Sequence, residues 1–295
     1  MRNCMYFIVV LMGVLFVSQA VAADKVVVIP LNSAKKLMNV VTVSAKGGDY
    51  TNPVAAVNSI TDAAADNPYM VFIGPGVYTL TQTLVMKPFV TISGAGQDAT
   101  TLTGAISSGT VAASTIVSGA DNATLCDLTI ENTGGSTASI ALYNDNSSPV
   151  IHDVTAHASG GDGNVGVMNV NSSKPTMIDM TVIASGGSEC YGVSNNSSSQ
   201  VYMAGVMAKA SGGTDNYGAR IAGSSAMLIK HSEIWGLRPI GEPGTYYAIK
   251  VDNAAGVVRI NHSSIYGTVS SSGAITCVLS DDGLLHELNS VCTWP

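Results

Sequence analysis

Charged residues are scarce in this 295-residue chain: Asp, Glu, Lys and Arg together make up 11% of it, against about 25% in an average soluble domain. Aromatic residues are also few, at 6%, whereas 31 glycines are present. This combination is atypical of helical bundles and favours many short strands joined by turns. The net charge of −7 argues against nucleic acid or an anionic membrane as a partner, and 46% hydrophobic residues exclude intrinsic disorder.

Long apolar runs are absent except at the N-terminus, where Tyr6 to Val17 is almost wholly apolar. Arg2 precedes the run and the small residues Val21, Ala22 and Ala23 follow it, which is the layout of a cleaved secretory signal. We therefore expect a signal peptide over residues 1–23, and a secreted, periplasmic or extracellular protein. A membrane anchor is the alternative, but an anchor needs about 20 apolar residues that are not followed by small residues of this kind. No membrane span is expected after cleavage.

Cysteines are also few, and one of the five, Cys4, leaves with the signal. The other four would reside in an oxidising compartment, where disulfides form, and four cysteines allow three pairings. They are Cys126, Cys190, Cys277 and Cys292. Pairing of Cys277 with Cys292 would close the shortest loop and is slightly favoured, although the sequence leaves the other pairings open.

Internal repetition is the strongest positive signal. The tetrapeptide Ala-Ser-Gly-Gly occurs at residues 158–161, 184–187 and 210–213, with a spacing of 26 each time. Each unit holds about three short runs in which apolar and polar residues alternate, separated by Gly- or Ser-rich turns, as expected of strands. Such a unit is one coil of a parallel β-helix. The spacing grows to 31 between His231 and His262, which predicts a turn insertion around residues 239–245.

The first coil needs a cap, because an open solenoid end exposes core and strand edges. Asn52 followed by Pro53 has the pattern of a helix N-cap and first turn, and apolar residues at Val54, Val57 and Ile60 follow with helical spacing. We expect a capping helix over about residues 53–65, a lead-in strand within residues 24–43, and a β-helix domain over residues 44–295.

Residues 48–50 with the helix after them, residues 71–78 and residues 90–104 resemble the N-terminal part of pectin methylesterases and the wider pectin lyase-like superfamily, and residues 125–135 resemble the coil that follows there. The resemblance covers about residues 44–135 closely. The resemblance implies an all-β, right-handed, single-stranded parallel β-helix on a secreted and often polysaccharide-directed protein. However, the Gln-Asp-Thr and Val-Asp-Phe segments that supply two aspartates in those esterases are absent, as is a matching arginine. The calcium carboxylates and basic arginine of pectate lyases have no local match either. The resemblance therefore supplies no catalytic residue.

Two sets of ionisable residues fall in register on successive coils. Asp127, Asp153 and Asp179 form one column, and Glu131 and His157 form a pair 26 residues apart. The column could share a proton or bind Ca²⁺, and the pair could act as acid and base. The simpler interpretations are turn aspartates that bind nearby backbone N–H groups and a surface ion pair. No spacing resembles a zinc site, and no cofactor other than calcium is suggested.

Aromatic residues gather in the C-terminal half, and four of them are candidates for substrate binding: Tyr191, Tyr217, Trp235 and Tyr266. Trp235 and Tyr266 share a column. Aromatic rings bind the apolar faces of sugars, but they also pack coil against coil.

Three functions remain open. The missing catalytic segments favour a secreted β-helix that binds polysaccharide or another surface partner without catalysis. The alternatives are a pectinesterase-like or lyase-like enzyme acting on uronate polymers, and a structural envelope or adhesin-like repeat protein. Because a fold does not determine a function, whether the chain is an enzyme stays undecided at this level.

Overall fold

The computed structural model describes residues 39–135, 137–237, 243–284 and 286–292. The predicted signal peptide, the first part of the lead-in segment and most of the predicted insertion lie outside these residues. The described chain is an all-β, right-handed parallel β-helix of about eight turns with one short helix. This confirms the predicted fold.

Each complete coil contributes strands to three faces, which we call A, B and C. Face A contains β1 (Asn39–Val43), β2 (Tyr69–Ile73), β5 (Val90–Ser93), the first parts of β8 (Thr124–Asn132) and β10 (Val150–Ser159), β12 (Thr176–Ile178), β15 (Gln200–Ala204), β18 (Ala226–Lys230), β21 (Val257–Asn261) and β24 (Ala274–Val278). Face B contains β3 (Gly76–Thr79), β6 (Thr100–Gly104), the second parts of β8 and β10, β13 (Thr181–Ser185), β16 (Met207–Ser211), β19 (Glu233–Gly236) and β22 (Ser264–Tyr266).

Face C forms a separate sheet of eight strands. They are β4 (Leu84–Val85), β7 (Thr115–Ser118), β9 (Ala138–Asp145), β11 (Gly163–Val170), β14 (Glu189–Asn195), β17 (Asp215–Ile221), β20 (Thr245–Val251) and β23 (Thr268–Ser271). All neighbouring strands pair in parallel, and the pairing of Thr155 with Thr129 and Thr181 reproduces the 26-residue repeat.

The core runs along the axis of the solenoid. In β8 the apolar residues Leu125, Leu128 and Ile130 are fully buried, and the outward residues Thr129 and Glu131 alternate with them. The same alternation in the following coils stacks inward side chains on one another. Removing this apolar surface from water is the main force that holds the coils together.

A short helix, α1 (Pro53–Ser59), begins where the sequence predicts, with the Asn52 side chain accepting hydrogen bonds from the N–H groups of Val54 and Ala55. It ends at Ser59, before the expected end near residue 65, because Ile60 adopts an extended conformation and buries its side chain in the core. The Lys87 ammonium donates to the Ile60 carbonyl, which satisfies an acceptor at the helix C-terminus.

The C-terminal end is held by a disulfide between Cys277 and Cys292, which confirms the favoured pairing. Cys126 and Cys190 are unpaired and buried, and burial raises the pKa of each thiol to about 11. Among the described residues, no helix has the length and apolar character needed to cross a membrane.

Candidate functional site

The predicted aspartate column lies at the corner between faces A and B. Asp127, Asp153 and Asp179 all have left-handed backbones, with φ of 58°, 53° and 48°, a conformation that Asp tolerates better than most residues. The column continues through other residues with positive φ: Gly205, His231, His262 and Leu279. The shared feature of the column is therefore its turn conformation. Among the described residues, no backbone N–H donates to any of the three carboxylates, so the structure does not show the backbone hydrogen bonds of the simpler interpretation.

The three carboxylates have separate local surroundings. Ser93 Oγ donates to Asp127 Oδ2 over 3.4 Å, and Asp153 Oδ2 lies 2.9 Å from His152 Nδ1. The Asp179 side chain packs against Gly205, which has no Cβ to obstruct it. Within the described residues, no group of three or more acidic, His or Cys side chains could hold a metal ion. A calcium or proton-sharing role for this column stays a prediction.

The structure brings Glu131 and His157 together on face B and adds a third side chain. Glu131 Oε1 lies 3.8 Å from His157 Nδ1, and His157 Nε2 lies 3.1 Å from Ser185 Oγ. Thr103 Oγ1 donates to the other carboxylate oxygen of Glu131. Ser185 was not among the predicted site residues, although it is the serine of the second Ala-Ser-Gly-Gly repeat, which was a usable signal.

The four predicted aromatic residues occupy two faces rather than one groove. Tyr191 and Tyr217 stack on face C with ring centroids 5.0 Å apart, and Tyr247 continues the row at 6.0 Å. Arg220 lies over this row, with Cζ 5.2 Å from the Tyr191 ring and Nε 2.6 Å from Asp252 Oδ2. Burial lowers the pKa of Arg220, but the hydrogen bond to Asp252 and the charge interactions with Tyr191, Asp252 and Tyr217 together leave the pKa above its ordinary value.

Trp235 and Tyr266 stack on face B with ring centroids 3.4 Å apart and planes within 6°. Each ring covers one face of the other, and the backbone at Gly283 packs against the Tyr266 ring. Because a sugar stacks on a free ring face, this geometry favours coil packing at Tyr266. Binding of carbohydrate by the predicted aromatic residues stays a prediction.

An open groove on face A was not predicted from the sequence. Its volume is about 540 Å³, and it spans four coils, from the turn before β12 to β21. Its lining side chains include Lys174, Thr176, Gln200, Tyr202, Leu228 and Arg259. Tyr202, Leu228 and Arg259 are direct neighbours in the strand register. Their residue types differ from coil to coil, so no repeat pattern marks the groove.

The groove is positive in a protein of negative net charge. No Asp, Glu or His is among its lining residues, and the side chains of Lys174 and Arg259 form no ion pair or hydrogen bond within the described residues. Lys230 lies beside the groove, with Nζ 5.6 Å from the centroid of the Tyr202 ring. The arrangement offers uncompensated cations next to an apolar and aromatic floor.

The sequence of this chain matches the model of a known protein family. The model of the family described as rhamnogalacturonase A/epimerase, pectate lyase-like, matches residues 37–268, which is more than half of the chain. The chain belongs to this family. The match confirms the resemblance to pectin lyase-like proteins seen in the sequence. No match was found among curated proteins.

Solved structures similar to this pectate lyase-like chain include pectin methylesterase from carrot, with 17% identity, a TM-score of 0.63 and coverage of 82% of this chain and 83% of that one. Pectate lyase Pel9A gives 17% identity, a TM-score of 0.63 and coverage of 81% and 68%. ORF18 of Geobacillus virus E2 gives 14% identity and a TM-score of 0.59, with 82% of this chain matching half of the viral protein. At these identities the likeness shows the fold.

Proposed function

We propose that this protein binds acidic polysaccharide in the face A groove and that the groove itself carries out no chemistry. The observation that carries the proposal is the pair of unpartnered cations, Lys174 and Arg259, beside Tyr202 and Leu228. A uronate unit presents a carboxylate, which a guanidinium or ammonium binds strongly, and an apolar ring face, which suits an aromatic or aliphatic side chain.

The family supports a carbohydrate ligand. Two of the similar structures are enzymes named for pectin and pectate, and we carry only the ligand class over from them. The groove lacks the carboxylates and histidines that would serve as acid or base, so binding without catalysis is the function that it supports.

A location outside the cytoplasm fits this role. The Cys277–Cys292 disulfide is expected to persist in an oxidising compartment, which is also where an extracellular polysaccharide would be met. The net charge of −7 repels a polyanion at long range, so we expect binding to depend on the local cations and to weaken with added salt.

The direct test is calorimetric titration of the protein with unesterified polygalacturonate, methyl-esterified pectin and a neutral glucan. We expect polygalacturonate to bind best, and Arg259→Ala and Lys174→Ala each to weaken binding by about tenfold, because each removes a charge-assisted contact. Lys209→Ala is the matched control, because Lys209 is a cation on face B, and we expect it to leave binding unchanged.

The proposal is wrong if polygalacturonate does not bind, or if the Lys209 variant weakens binding as much as the groove variants do. Equal binding of polygalacturonate and fully esterified pectin would contradict recognition of the carboxylate.

A further inference from the structure

Glu131, His157 and Ser185 form a continuous row across three successive coils of face B. The imidazole lies between the other two groups: Nδ1 is 3.8 Å from the Glu131 carboxylate and Nε2 is 3.1 Å from the Ser185 hydroxyl. Hydroxyl, imidazole and carboxylate in this order, on opposite nitrogens of one ring, are the groups of a serine hydrolase triad.

The parallel register explains how the row arises. Glu131 pairs with His157, and His157 pairs with Ile183 on the next coil. Ser185 follows Ile183 by two residues and therefore points to the same side of β13. The two-residue offset sets the hydroxyl diagonally from the histidine, so that Nε2 meets Ser185 while Nδ1 meets Glu131.

The row is accessible to a reagent. The side chains of His157 and Glu131 are 30% and 39% exposed, and Ser185 is half-buried. Gly186 follows the serine, and no atom lies within 4 Å of the position that a Cβ would take there, so the space next to the serine is open.

We infer that face B carries an ester-hydrolysing site in which Ser185 is the nucleophile and His157 is the general base. Glu131 is a positioning residue that orients the imidazole, and Thr103 in turn holds Glu131. The inference goes beyond polysaccharide binding, since it concerns a different face and different residues from the face A groove.

The reaction uses only ester and water. Ser185 Oγ attacks the ester carbonyl carbon, its proton passes to His157 Nε2, and the bond to the leaving alkoxide breaks as His157 protonates that oxygen. Water then attacks the acyl-serine with His157 as base. The Ser185 Oγ–acyl bond breaks, the proton returns to Ser185, and the carboxylic acid leaves.

The surroundings limit the class of ester. Gln97 lies over the neighbouring positions of face B, where its backbone carbonyl accepts a hydrogen bond from Thr129 Oγ1 and its side-chain oxygen accepts one from Thr155 Oγ1. Because Gln97 covers this part of the face, the site suits esters of a small acyl group, such as acetate.

The first test treats the full protein with a fluorophosphonate. An activated serine displaces fluoride and keeps the phosphonyl group on Oγ, which intact-mass measurement and peptide mapping locate. We expect a single label on Ser185 and steady turnover of p-nitrophenyl acetate. Absence of label on Ser185 in the folded wild-type protein would overturn the inference without recourse to any variant.

Variants then separate catalysis from structure. We expect Ser185→Ala to abolish labelling and His157→Gln to slow it by about 10²-fold, the usual contribution of a general base. Ser211→Ala is the matched control, because Ser211 is the same residue of the next Ala-Ser-Gly-Gly repeat and pairs with Ser185 in register. It should label as fast as wild type. Equal ester turnover by the Ser185→Ala and wild-type proteins would also overturn the inference.

Glu131→Gln tests the positioning role. We expect it to lower kcat for p-nitrophenyl acetate by about tenfold while KM stays unchanged, because orientation of the base affects the chemical step. A change in KM alone would show that Glu131 acts on binding and would contradict its assigned role.

Discussion

At the scale of single residues, the corner between faces A and B decides which side chains the chain can carry there. A left-handed backbone costs an ordinary residue roughly 1–2 kcal/mol, whereas Gly adopts it freely. Gly205 has φ of 66°, and its missing Cβ also leaves space for the Asp179 carboxylate of the preceding coil. Both backbone and packing therefore favour glycine at this position.

Three glycine substitutions separate these two effects. Gly109→Ala should be nearly neutral, since Gly109 has an ordinary φ and no atom within 4 Å of a new Cβ. Gly47→Ala should cost about 1 kcal/mol for its φ of 79° alone. Gly205→Ala should cost more than Gly47→Ala, because it adds a clash with Asp179. Urea unfolding measures all three, and a Gly205 variant as stable as the Gly47 variant would contradict the packing argument.

At the scale of strands, a buried row of asparagines lies across three coils of face C. Asn144, Asn169 and Asn195 are neighbours in the register of β9, β11 and β14 and are fully buried. Asn144 Nδ2 donates to Asn169 Oδ1 over 2.8 Å, and Asn195 Nδ2 donates to the carbonyls of Ser199 and Ala226. Buried amides that bond between strands help to fix the register of the coils.

Asn169→Ala should lower the free energy of unfolding by about 1–3 kcal/mol, because it leaves the buried Asn144 amide without its acceptor. The control is Asn196→Ala: Asn196 is half-buried, and its side chain bonds only to Ser194 Oγ among the described residues. Urea unfolding of the two variants checks the difference. If both variants lose the same stability, the amide row contributes nothing specific.

The repeat made the strand register predictable, and with it the contact between Glu131 and His157, because columns 26 residues apart had to become neighbours. Ser185 was not predictable in the same way, since it meets His157 diagonally and lies off that column. The face A groove depends on Tyr202, Leu228 and Arg259, which share a row but not a residue type. The repeat therefore predicts the residues that successive coils share, whereas the two proposed sites contain residues that differ from coil to coil.

At the scale of the whole molecule, the coils form a nearly one-dimensional stack. Each outward residue has its counterpart on the next coil about 4.8 Å away, so a column of like charges would repel itself. The low charged fraction is consistent with this restraint. Stacked rings meet no such penalty, as Trp235 with Tyr266 and His231 with His262 illustrate. The same stacking means that each coil is supported mainly by its two neighbours.

Within the described residues, β24 pairs with a strand on one side only, β21, and the Cys277–Cys292 disulfide ties the segment after β24 back onto it. Closing a loop of 15 residues is worth about 3 kcal/mol. We therefore expect the double variant Cys277→Ala/Cys292→Ala to fray from this end.

Hydrogen exchange measured by mass spectrometry should show this as faster exchange in β24 and β21, with unchanged protection in β8 to β14. Adding a reducing agent to the wild-type protein should give the same faster exchange in β24 and β21. Adding it to the double variant should change nothing further, because Cys126 and Cys190 are unpaired. Loss of protection at equal rates in every coil would mean that the solenoid unfolds as one cooperative unit. In that case the disulfide would stabilise the whole stack, and nearest-neighbour support would not describe this molecule.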